Sequence, residues 1–165
     1  MKKDTYIGMI NWIKNRPEVS KAIFWANRIF TTFVYVSFFV MLFYLLFERG
    51  IEKAVWLVAG TCVPFVLVSF FRNIIDRERP YQKFGVEPVI PRNKKGKSYP
   101  SRHVFSVFII GVAGVFFFGY IGWIIIAIGT VIAFLRVVGG VHYVSDIICG
   151  ALFGLLFGYV SFYLV

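Results

Sequence analysis

Two histidines, one aspartate and a set of arginines carry the chemistry that this chain can offer. His142 and Asp146 stand four residues apart, a spacing that brings both side chains to one face of a helix, where a carboxylate can orient an imidazole. Arg136 precedes His142 by six residues across the pair Gly139-Gly140, which can turn the backbone back towards the ring. A phosphate-sized anion fits between a guanidinium and an imidazole so disposed. His103 follows Pro100-Ser101-Arg102 at the opening of an apolar run. Ser101 is placed to be an N-cap there, with free backbone N–H groups of Ser101 and Arg102 directed outwards to an anion. Arg72 and Arg79, seven apart, lie two helical turns from each other and can grip one anion from two directions. Taken singly, each feature has a plainer reading: a basic stop-transfer flank for the arginines, an interfacial residue for a lone histidine.

The elements that must position these groups are apolar. Of 165 residues, 59% are hydrophobic and 20% aromatic, more than a soluble domain of this length can bury. Several runs approach the roughly 20 residues that cross a bilayer as a helix. The fold class is therefore all-α, a polytopic membrane helical bundle with about five transmembrane helices and an N-terminal interfacial amphipathic helix. Residues 1–28 form the amphipathic segment, broken near Pro17, and residues 29–165 the membrane domain. Lys2, Lys3, Lys14, Arg16, Lys21 and Arg28 there alternate with Ile7, Ile10, Trp12, Ile13 and Trp25. No signal-peptide core or cleavage site is recognisable in it.

The expected spans are Ile29 to Phe47, Ala54 to Phe71 with a kink at Pro64, two from the run Val104 to Leu135, and the last from near His142 to the C-terminus. The 104–135 run would be about 48 Å long as one helix, so a break at Gly119-Tyr120-Ile121-Gly122 is expected. Gly150, Gly154 and Gly158 form a small-residue stripe suited to packing against a neighbouring helix. Residues 72–102 hold nine Lys and Arg, four Pro and two Gly, and read as a polar loop. With five spans, this loop, His103, the 136–146 turn and the N-terminus all emerge on one side of the membrane.

The net charge of +10 is distributed between apolar spans, which favours lipid phosphate as partner and argues against nucleic acid. The eight carboxylates are scattered, so no cluster is suited to Mg²⁺ or a two-metal centre. Cys62 and Cys149 fall inside spans and read as core residues.

Together the clusters resemble the type 2 phosphatidic acid phosphatase family, the membrane branch of a superfamily that includes vanadium haloperoxidases. Its pattern is Lys-x6-Arg-Pro, Pro-Ser-Gly-His, then Ser-Arg-x5-His-x3-Asp. Arg72 to Pro80, Pro100 to His103 and Arg136 to Asp146 match in order and spacing. Three departures stand out: Arg72 replaces lysine, Leu135 replaces serine, and Arg102 replaces the glycine that lets backbone approach phosphate.

The resemblance implies a haloperoxidase-like helical core and a lipid phosphatase that works without metal or other cofactor. His142 would be the nucleophile that forms a phosphohistidine, Asp146 its orienting carboxylate, and His103 the acid and then the base. Arg72, Arg79, Ser101, Arg102 and Arg136 would bind phosphate. Phosphatidic acid, phosphatidylglycerol phosphate and polyprenyl pyrophosphate all fit as substrates.

The resemblance also implies an active face outside the cytoplasm, the expectation adopted here. The positive-inside rule opposes it, with six basic residues against two even after setting aside Arg72, Arg79 and Arg102. The competing functional reading is a non-catalytic lipid-phosphate-binding protein of the same fold, with Arg102 obstructing the nucleophile.

Overall fold

The computed structural model describes residues 3–93 and 95–164, and these form a bundle of helices. Lys2 and Lys94, counted above among the basic residues, and the outer limits 1 and 165 of the expected segments lie outside the described residues. The order is α1 (Lys3–Lys14), α2 (Pro17–Tyr44), α3 (Ile51–Ile75), α4 (Pro80–Phe84), α5 (Arg102–Phe118), α6 (Tyr120–Val138) and α7 (Val144–Tyr159). Five-residue π-helical turns extend α2 through Leu45–Arg49 and α7 through Val160–Leu164.

α5 is the axis of the bundle. Every residue from Val104 to Gly114 is buried, the pattern of a helix surrounded on all sides. Among the described residues four other helical stretches are long and apolar enough to cross a membrane: Pro17–Arg49, Ile51–Phe84, Tyr120–Val138 and Val144–Leu164. α5, with 17 residues, stands at the lower limit of the spanning range. The outer helices turn large apolar side chains outwards, among them Phe33, Val40, Phe70, Trp123, Phe134 and Leu156, as lipid-facing surfaces do.

Glycines set how closely α5 is approached. A Cβ on Gly122 would run into the backbone of Gly111, Gly114 and Val115, so α5 and α6 meet almost backbone to backbone beyond the break at Gly119. The Gly150, Gly154 and Gly158 stripe rests on α5 as expected, facing Ser101, Phe105 and Val112 in turn.

The boundary of the N-terminal amphipathic segment differs from the sequence expectation. Pro17 begins α2, because proline suits a first helical turn, and residues 17–28 continue without interruption into the first span. Only α1 stands apart as the amphipathic helix. Its buried stripe Tyr6, Ile10 and Ile13 packs against Val89, Phe84 and Val138 of the protein itself. The cysteine reading is also corrected. Cys62 is exposed on the outside of α3, and Cys149, partly buried, accepts a hydrogen bond from the Tyr99 hydroxyl at 2.9 Å.

Candidate active site

α3 ends where Asp76 adopts a left-handed conformation (φ 36°), and Arg79 then caps α4. Arg72 and Arg79 are therefore not on one helix face. They converge because the loop before α5 folds back between them. The Lys97 carbonyl accepts from Arg72 Nη2 and, at 3.3 Å, from Arg79 Nη2. Arg72 Nη1 donates to the Pro100 carbonyl at 2.7 Å and Arg79 Nε to the Gly96 carbonyl at 3.0 Å. Both guanidiniums are buried. Residues 96–98 thus form a wall of the site, held by Ser98 N–H to the Arg77 carbonyl (2.8 Å) and Lys97 N–H to Asp76 (3.0 Å).

His142 lies outside α7, two residues before its first turn, and not on the helix as the four-residue spacing predicted. It meets Asp146 nonetheless, because Asp146 is the third residue of that turn and its carboxylate folds back over the helix start. Asp146 Oδ2 accepts the Tyr143 N–H at 2.9 Å, the Ser98 hydroxyl at 2.5 Å and the His142 Nδ1–H at 3.3 Å. Oδ1 accepts from Arg77 Nη1 at 2.8 Å. An ionised carboxylate has no proton to give, so Nδ1 carries the ring proton and Nε2 keeps its lone pair. Nε2 faces Arg79 Nη1 at 3.4 Å. Burial pushes the His142 pKa down to about 4, against the opposing hydrogen bond to Asp146. At neutral pH the ring is uncharged, and its Nε2 lone pair is directed at a guanidinium.

Arg79 also borders a cavity of about 390 Å³, together with Arg72, Arg92, Lys95, Arg102 and His103, among others. Arg136, at the end of α6, is buried, and its Nε has no hydrogen-bond partner. Its charge acts on His103. The structure therefore gathers His142, Asp146, His103, Arg72, Arg79, Arg102 and Arg136 at one end of the bundle.

Ser101 is placed differently from expectation. It stands before α5, but its hydroxyl caps nothing, and its N–H donates to the Asp146 carbonyl at 2.9 Å. That N–H joins α5 to α7 and is not free for an anion. Arg77, Ser98 and Arg92 are components that motif reading missed. Arg77 and Arg92 enter the sequence reading only among the six basic residues of the loop, and a serine or arginine in an irregular loop has no periodicity to single it out.

A helical membrane bundle whose arginine-lined cavity adjoins a buried histidine–carboxylate pair defines a class, the membrane phosphatases. This chain belongs to the PAP2 superfamily, whose model matches residues 53–165. Among solved structures it is similar to LpxE of Aquifex aeolicus, at 25% identity and a TM-score of 0.65 over 87% of this chain and 92% of that one. It also resembles the first transmembrane PAP2-type phosphatidylglycerolphosphate phosphatase from Bacillus subtilis in fold, at 19% identity and a TM-score of 0.58 over 95% and 90% of the two chains. No curated protein matches the chain.

Proposed function

We propose that this protein hydrolyses a phosphomonoester or pyrophosphate of a membrane lipid through a phosphohistidine, without a metal ion. The observation that carries the proposal is the His142–Asp146 pair, with Nδ1 held at 3.3 Å and Nε2 turned to Arg79 beside the arginine cavity.

In the first step Nε2 of His142 attacks phosphorus, the N–P bond forms and the bond to the leaving oxygen breaks. His103, bordering the cavity, gives its proton to that oxygen. Asp146 stabilises the developing imidazolium, and Arg72, Arg79 and Arg136 hold the phosphoryl oxygens. In the second step His103 takes a proton from water, which attacks phosphorus and releases inorganic phosphate and neutral His142. Arg72 and Arg79 exchange the loop carbonyls of residues 96, 97 and 100 for phosphate oxygens, to which a charged donor bonds more strongly.

Lipid, rather than a soluble ester, is favoured by what adjoins the cavity. Arg102 lies over the Phe65 ring at 5.3 Å, and Phe65 also lines an apolar groove of about 230 Å³ with Tyr35, Phe38, Ile109 and Ile110. A headgroup at Arg102 leaves its tail directed into that groove.

Phosphate release by the purified protein, from phosphatidic acid, phosphatidylglycerol phosphate and a polyprenyl pyrophosphate in mixed micelles, tests the reading. Activity on at least one lipid is expected, abolished in His142→Ala, insensitive to EDTA and inhibited by vanadate. Full turnover by His142→Ala would sink the nucleophile assignment, and binding without release would leave a lipid-phosphate receptor. We place the active face outside the cytoplasm. An impermeant thiol reagent should label Asn93→Cys, built without Cys62 and Cys149, in intact cells; labelling only after permeabilisation would reverse the orientation.

A further inference from the structure

The cavity holds more positive charge than one phosphoryl group requires. Arg72, Arg79 and Arg136 suffice for the three phosphoryl oxygens in the mechanism above, yet Arg92, Lys95 and Arg102 border the cavity beside Arg72 and Arg79. Among the described residues no carboxylate lies within ion-pair distance of Arg92, Lys95 or Arg102. Arg92 is the best placed of the three. The backbone just before it is anchored, since the N–H groups of Val89 and Ile90 both donate to the Gly139 carbonyl, at 3.0 and 3.2 Å. Ile90 is buried against Gly139, where a Cβ would collide with its side chain. Arg92 Nε is buried and has no hydrogen-bond partner. Its charge acts on Arg136, His103, Arg79 and Arg72, so it looks into the site from the loop.

We infer that Arg92, with Lys95 and Arg102, forms a second anion subsite beside the scissile phosphoryl, which selects a lipid diphosphate over a lipid monophosphate. The inference rests on the hydrolase reading above for its catalytic consequence, though not for binding. Arg102 directly precedes His103, the proton donor to the leaving oxygen, so the subsite lies on the leaving-group side. With a diphosphate, His142 attacks the terminal phosphorus and the bridging P–O bond breaks. The departing lipid monophosphate takes its proton from His103, and water releases inorganic phosphate from His142. Negative charge grows on the departing phosphate as that bond breaks, and there the cations of the subsite act most strongly. A monophosphate ester, whose leaving group is an alcohol, leaves the subsite empty.

Titration calorimetry of the full-length protein in detergent, with inorganic pyrophosphate and orthophosphate as probes, tests the subsite without turnover. Pyrophosphate should bind at least tenfold more tightly than orthophosphate. Arg92→Gln should weaken pyrophosphate about tenfold and orthophosphate less than threefold, and Arg92→Lys should recover part of the loss. Equal affinities for the two anions, or equal losses in Arg92→Gln, would overturn the subsite. In the catalytic arm, with a lipid diphosphate and monophosphate sharing one tail, Arg92→Gln should cut kcat/KM about tenfold for the diphosphate and less than threefold for the monophosphate. Parallel losses would overturn the selectivity. Absent turnover on every lipid, with pyrophosphate binding still dependent on Arg92, would refute the hydrolase reading and uphold the subsite.

Discussion

Arg77 Nη1 lies 2.8 Å from Oδ1 of Asp146, the carboxylate oxygen that His142 does not use. The same guanidinium covers the Tyr143 ring at 4.2 Å and donates to the Ser145 hydroxyl at 2.8 Å. The carboxylate is thereby locked in rotation, with Oδ2 left to Ser98, Tyr143 and His142. In the proposed mechanism Arg77 is a positioning residue that acts through Asp146.

Arg77→Ala should lower kcat roughly tenfold with KM little changed, since the substrate cavity is bordered by other cations. The side chain is 38% exposed, so the fold should tolerate its loss, with stability falling by less than about 1 kcal/mol. Steady-state kinetics on a lipid phosphate separate the two parameters. A rise in KM at constant kcat would instead make Arg77 a substrate ligand.

Protonation of His142 should have an unusual acid limit. Its folded-state pKa of about 4 lies below the 6.5 of a free imidazole. Between these values the unfolded chain binds a proton that the folded chain refuses, so this contribution to stability is complete above pH 6.5 and is lost as pH falls towards 4. The total is on the order of 3 kcal/mol. Unfolding in detergent between pH 4 and 7 should show a steeper acid slope in the wild type than in His142→Gln. The acid limb of kcat/KM due to this residue should fall near pH 4, well below that of a free imidazole.

Gly150→Ala should damage both stability and activity. The added methyl would stand 2.7 Å from the Ser101 carbonyl and 3.4 Å from both the Ser101 nitrogen and Val104 Cβ, where α7 touches the start of α5. Overpacking of this kind costs about 1–3 kcal/mol. Gly154→Ala meets a similar clash one turn further from the site, 2.7 Å from the Phe105 carbonyl. It should lower the unfolding temperature comparably while leaving more kcat. Equal kinetic losses in the two variants would dissociate the Ser101 junction from catalysis.

Tyr6 links α1 to the active end. Its buried hydroxyl donates to the Gly140 carbonyl at 3.1 Å, two residues before His142, and burial raises its pKa. Tyr6→Phe leaves that buried carbonyl without this donor and should cost about 1–3 kcal/mol. Hydrogen exchange should report faster opening of the segment around Gly139–His142 in the variant. Unchanged protection there would show α1 to be only peripheral.

Much of the fold could be read from hydropathy, because lipid-facing helices must be apolar over a fixed length and a 32-residue run must break. Glycine at 119 and the 150–158 stripe were legible for the same reason. The family motifs likewise marked Arg72, Arg79, His103, Arg136, His142 and Asp146. What the spacing misassigned was the geometry between them. Arg72 and Arg79 meet through an inserted loop, and His142 meets Asp146 across a helix cap rather than along a helix face. Ser98, Arg77 and Arg92 became visible only in three dimensions, because a polar loop has no period from which to infer where its side chains point. Sequence by itself determined which residues bear charge and which helices enter lipid, since both follow from residue type and local spacing. Tertiary structure alone decided which cations face the cavity and which are engaged elsewhere, because that depends on where a chain with no regular hydrogen-bond ladder crosses the end of the bundle.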